Sequence, residues 1–201
     1  MSPNGQAISA TPTPDAAGLP DAGDRSPTAR QIDVTRAVVA VALAVGFLAA
    51  VGDDVPLAAS VLPAAAAAII TAYPLIDAIS SIVGARGAGD ARRPLYANAA
   101  ISFVASIAIG VAAFGSDAGA TLLAFGTWAV VSGAIQFVLA LRRRRAEGGQ
   151  RLMLLSGGLS TLAGLSFVAA SNQTDVNLGM LSFYMILGAV LFVASARRST
   201  V

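Results

Sequence analysis

A chain without His, Cys or Lys has few ways to do chemistry. No imidazole is available as an acid or base, no thiol as a nucleophile or soft metal ligand, and no amine for a Schiff base. The candidates that remain are oxygen groups and amides set in apolar surroundings. Asp77 is the acid placed most deeply in such a stretch, nine residues before Arg86, or roughly 13 Å along a helix. An acid at that depth carries an insertion cost of ~2.5–3.5 kcal/mol, so it must face other protein and be paired or protonated. It is either a proton-titrating site or hydrogen-bonded glue between helices, and glue is the default. Tyr73 lies one turn away and can donate to it. Asn98 and Gln136 are amides in two later apolar stretches, and either could meet Asp77 if those stretches pack as neighbours. No G-x-S-x-G elbow, P-loop, dinucleotide fingerprint or metal-ligand cluster is present, so neither enzymatic activity nor a cofactor is expected.

The elements that must hold these groups are legible in the charge pattern. Of 201 residues, 56% are hydrophobic and only 12% charged. That balance is far from the globular average and points to an all-α polytopic membrane protein whose first partner is the lipid bilayer. Six apolar stretches, at about 36–52, 57–84, 95–114, 119–141, 152–171 and 176–196, are near the length needed to cross a bilayer. The second is long and contains Pro63 and Pro74, so it is expected to start late or kink. Residues 1–33, rich in Pro, Ser, Thr, Gly and Asp, are expected to be disordered. No secretory signal pattern precedes the first stretch, which reads as an uncleaved anchor with Arg36 snorkelling to its interface.

Sorting the turns by sign tests the count of six. The turns after the first, third and fifth stretches carry Asp53, Asp54, Asp117 and Asp175 and no base. All thirteen basic residues are Arg, and they fall in the tail, the other loops and the C-terminus. The positive-inside rule then places both termini in the cytoplasm, with residues 199–201 a short tail. Basic residues confined to helix ends do not form the aromatic-interleaved face that nucleic acid requires. Arg142, Arg143, Arg144 and Arg145 serve as a topogenic block and are candidates for contact with anionic lipid.

The stretches also repeat. Trp128, Gly133 and Arg142 share their spacing with Phe183, Gly188 and Arg197, and nearly with Tyr73, Ala78 and Arg86. Ser156, Ser160 and Gly164 recur as Asn98, Ser102 and Ser106, and more weakly as Ala42, Gly46 and Ala50. Small residues four apart let two helix backbones approach closely. The expected architecture is therefore three tandem helix hairpins of about 55–60 residues, related by an axis along the membrane normal.

On these residues, above all GTWAVVSGAIQFVLALRRRR and RLMLLSGGLSTLAGLSFV, the chain resembles the HdeD-like acid-resistance membrane protein family. The resemblance implies a six-span, non-enzymatic protein of the bacterial plasma membrane linked to acid or envelope stress, with no catalytic residues to transfer. The residues themselves leave two other readings open. One is a small transporter or proton-coupled permease working through Asp77, and the other is an assembly protein acting through a homo-oligomer or another membrane-protein partner.

Because the chain has no native Cys, topology can be read from single-cysteine variants. Asp175→Cys should react with an impermeant maleimide added to intact cells. Arg145→Cys should react only after permeabilisation, and labelling of Arg145→Cys in intact cells would invert the topology.

Overall fold

The computed structural model describes residues 27–52, 59–86, 92–143 and 151–197. Among the described residues there are six helices: α1 (Pro27–Val51), α2 (Ala64–Ala85), α3 (Arg92–Gly115), α4 (Ala118–Arg143), α5 (Arg151–Ala170) and α6 (Gly179–Arg197). All six are long and apolar enough to cross a membrane. α6, the shortest at 19 residues, reaches ~28 Å at 1.5 Å per residue, against a hydrocarbon core of ~30 Å.

The helix limits follow from local chemistry. α2 starts immediately after Pro63, as its two prolines required, and continues through Pro74. Pro74 removes a backbone donor, and in the same stretch the Thr71 carbonyl accepts a hydrogen bond from Ser106 on α3 at 2.8 Å. α4 starts behind Asp117, whose Oδ1 accepts the Ala120 N–H at 2.7 Å as an N-cap. The Ala118 N–H donates to the Ser60 carbonyl at 2.8 Å, which ties two of the acidic-end turns together. α1 starts at Pro27, seven residues inside the segment expected to be disordered. Proline is well suited to a first helical position, where its missing N–H has no partner to lose. Residues 1–26, Asp53 and Asp54 lie outside the described residues.

Many large apolar side chains point outward and many small residues pack inward, unlike the polar exterior of a water-soluble bundle. Val38, Val104, Val111, Leu162 and Phe183 are exposed, whereas Ala44, Ala66, Ala67, Ala129, Ser102 and Thr121 are buried. An apolar exterior on every helix is what lipid as the surrounding solvent selects. With six such helices, the chain is a multi-pass membrane protein.

The unit repeated in the sequence is not the unit that packs. The extensive helix pairs are α2 with α3, α4 with α5, and α6 with α1. α1/α2 and α3/α4 touch less, and α5/α6 least of all. Each even helix thus packs on the odd helix that follows it, and α6 closes the ring onto α1. The reason lies in the small residues. A Cβ on Gly126 would sit 2.8 Å from the Gly164 carbonyl oxygen, and one on Gly133 would sit 2.7 Å from the Thr161 nitrogen. The backbones of α4 and α5 are therefore in direct contact at two levels, seven residues apart on each helix. By the repeat offset, Thr71 and Ser106 occupy the first of these levels in α2/α3, and the buried Ala78 and Ala99 the second.

Two registers differ from the sequence pattern. In α1 the buried stripe is Ala37, Ala40, Ala44 and Phe47, while Ala42 is exposed and Gly46 faces Ile69 of α2. In α6 Phe183 is 73% exposed and its neighbour Tyr184 points inward. Both shifts arise because α1 and α6 pack on each other, which turns the face of each helix toward the partner that closes the ring.

The α4/α5 contact predicts opposite results for two neighbouring glycines. Gly133→Ala forces a methyl group onto backbone atoms and should cost about 1–3 kcal/mol, lowering the melting temperature of the purified protein in detergent. Gly158→Ala would meet only the Phe137 ring at 3.7 Å, so its melting temperature should be unchanged or slightly raised.

Candidate functional site: a clamped carboxylate beneath a one-ended cavity

The site begins with the need of one carboxylate for partners in a medium without water. Asp77 extends from α2 with its side chain 13% exposed, and Arg36 of α1 reaches it with its own side chain 21% exposed. One guanidinium nitrogen of Arg36 donates to Oδ1. Oδ2 accepts from Asn98 Nδ2 at 2.8 Å and from Ser102 Oγ at 2.8 Å, both on α3. The second Asn98 amide hydrogen is engaged by Ser81 Oγ at 2.9 Å. Ser102 in turn accepts from the indole N–H of Trp128, on α4, at 3.1 Å. The guanidinium lies 4.3 Å from the centroid of Phe192, on α6, in cation–π range. Residues from five of the six helices thus converge on a single acid.

Beneath the clamp lies a cluster of rings. Tyr73 meets Trp128 at 5.9 Å and Tyr184 at 6.3 Å between centroids. Phe125 meets Trp128 at 5.2 Å and Tyr184 at 5.6 Å, and Phe167 closes on Tyr184 at 5.8 Å. Most of these pairs are edge-to-face, which suits the opposed charges of ring edge and ring face. A hydrogen bond of 3.0 Å between Ser160 and Tyr184 joins α5 to α6 at this level.

Above the rings a cavity of about 510 Å³ runs toward the arginine-bearing end. Its walls come from the early turns of α1, α3 and α5 (Asp33, Leu95, Leu152) and from the later turns of α2, α4 and α6 (Asp77, Gln136, Ser195). The helix ends that carry arginine therefore share one end of the bundle. The acidic-end turns meet at the other, where Ala59, Asp117 and Asn172 border one small depression.

Three of the four polar candidates take distinct places in this site. Asn98 bonds Asp77 directly. Tyr73 lines the cavity and belongs to the ring cluster. Gln136 lines the same cavity and is not among the groups bonded to Asp77. Arg142 and Arg143 end α4, while Arg144 and Arg145 lie outside the described residues.

The site's main departure from the sequence reading is Arg36. Arg36 is not an interface anchor but the counter-ion of Asp77, because pairing a buried acid stabilises far more than placing one guanidinium at the lipid surface. The signal was partial: Asp77 needs a cation, and Arg36 borders an apolar stretch on the same side, as Arg142, Arg151 and Arg197 also do. Trp128 turns inward, where Ser102 accepts its indole N–H.

Residues 104–169, about a third of the chain, match a family described as a short repeat of unknown function (DUF308). The matched segment runs from the middle of α3 to the end of α5 and includes the close-packed α4/α5 pair. The chain is thus a multi-pass membrane protein, with six helices among the described residues, of which one segment is similar to that repeat, consistent with the HdeD-like resemblance of its motifs. No curated protein matches the chain, and no solved structure does.

Removing one member of a buried ion pair leaves the other charge uncompensated. Arg36→Met should therefore destabilise by about 3–5 kcal/mol. Adding Asp77→Asn should recover part of the loss, with a coupling of at least about 1 kcal/mol in thermal melts of the four proteins. Additive losses would mean that the two side chains act independently.

Proposed function

We propose that this is a non-enzymatic, HdeD-like protein of the bacterial plasma membrane, with both termini cytoplasmic, that contributes to acid or envelope-stress tolerance as a structural component of the membrane. The observation that carries this reading is the full occupation of Asp77. Both carboxylate oxygens are held by Arg36, Asn98 and Ser102. A proton carrier must release and regain its proton as water reaches it, whereas this carboxylate ties α1, α2 and α3 together. The ring cluster below supports the same reading, since it lies between the cavity and the acidic-end turns. The link to acid stress comes from the family resemblance, and the cytoplasmic placement of the arginine end from the positive-inside rule. On that topology the Arg142 to Arg145 block belongs to the cytoplasmic side, where an arginine near an anionic leaflet adds ~1 kcal/mol of attraction.

The competing reading, a proton-coupled permease, uses the same cavity as one half of an alternating-access path. In vesicles holding the purified protein, an imposed pH gradient should decay no faster than in empty vesicles, and Asp77→Asn should not alter the rate. In cells, a deletion strain should survive acid shock less well than its parent, and Asp77→Asn should rescue only to the extent that the variant accumulates. Gradient decay that requires Asp77 would replace this proposal with the permease.

A further inference from the structure

Two of the three sequence hairpins, α1/α2 and α3/α4, are closed by packing, and the third is not. α5 and α6 are joined at Ser160 and Tyr184 and then separate toward the arginine end, with the cavity between them. On the α5/α6 side its walls combine Met153, Leu159, Leu187 and Leu191 with the hydroxyls of Ser156 and Ser160. On the α2/α4 side they carry Asp77, Ser132 and Gln136. Ser132 is only 5% exposed, and neither its hydroxyl nor the Gln136 amide has a hydrogen-bond partner among the described residues. Gln136 is half-buried and both side chains line the cavity, so their polar groups are open to a molecule that enters it.

We infer that the cavity binds an amphiphile with an uncharged, hydroxyl-bearing head, which enters from the bilayer between α5 and α6. The head sits on Ser132 and Gln136, and the alkyl tail lies along the leucines of α5 and α6, reaching down to the ring cluster. The volume of about 510 Å³ lies within the ~300–1,000 Å³ common to small-molecule sites. The head is uncharged because Asp77 and Arg36 already neutralise one another, and Asp33 near the mouth is itself engaged. An ionic head would lose its hydration without gaining an unpaired counter-charge. The inference concerns binding alone and is independent of the role in stress tolerance.

The chain supplies its own reporter. Trp128 is its single tryptophan, lines the cavity and is 6% exposed, so quenchers in bulk lipid reach it poorly. The full-length protein, in bilayers of unbrominated lipid, would be titrated with a monoacylglycerol brominated along its chain. Parallel titrations would use the matching methyl ester, fatty acid and alkylamine. Saturable quenching by the monoacylglycerol is expected, about tenfold tighter than by the methyl ester. Gln136→Leu and Ser132→Ala, each checked for monodisperse elution, should each weaken it about threefold or more, the worth of one hydrogen bond. Non-saturating quenching, equal affinity for the methyl ester, or tighter binding of the fatty acid or alkylamine would each overturn the inference. So would unchanged affinity in both variants.

Discussion

Helices in lipid gain nothing by hiding apolar surface from one another, because the lipid is as apolar as they are. What remains is dispersion, which grows steeply as backbones approach, and hydrogen bonding between polar groups that have no water. The contact of α4 with α5 shows the first in its plainest form, with Gly126 and Gly164 at one level and Gly133 and Gly157 at the other leaving no room for a single methyl group. The rest of the bundle is arranged around approaches of this kind. Ala, Gly and Ser line the closest helix contacts, and large side chains are confined to the lipid face and to the central ring cluster and the core around it.

The second force explains why a costly acid is kept inside. Asp77 stands in α2 where, by the repeat offset, α4 has Ser132 and α6 has Leu187, and Asn98 stands where α5 has Ser156. Among these equivalent positions, therefore, only that in α2 provides an ionic centre. Through Arg36 and the relay from Trp128 by way of Ser102, that centre reaches α1 and α4. A polar network in a nonpolar medium is strongly directional: each bond is worth most in one geometry, so it fixes the angles at which helices meet. Close backbone contact alone would hold α2 against α3 without fixing how α1 and α4 lean on them.

Repetition and departure from it together make the cavity. Three copies of one packing unit, closed into a ring by α6 on α1, would give a near-symmetric bundle filled at its centre by rings from the even helices. The α5/α6 side breaks the pattern. There Leu159, Leu187 and Leu191 face a gap instead of a neighbouring helix. The polar groups of α4 that have no counterpart of Arg36 to engage them open into the same space, which makes the cavity amphipathic instead of uniformly greasy.

By itself the sequence determined the solvent, the number of crossings and the common side of the arginines, since these depend on composition and charge sign along one dimension. The inward stripes Asn98–Ser102–Ser106 and Ser156–Ser160–Gly164 were legible too, because a small residue every four positions marks one face of a helix whatever it meets. The identity of the partner helix was not. A hairpin in sequence suggests neighbours in space, yet Gly133 chose Gly157 across the repeat boundary, because only there do two small surfaces coincide. The inward turn of Tyr184 in place of Phe183, the move of Arg36 from interface to ion pair, and the two unpartnered groups at Ser132 and Gln136 were decided by tertiary structure alone. Each depends on which helix stands opposite, and in a chain of Ala, Gly and Ser many faces are smooth enough to accept more than one.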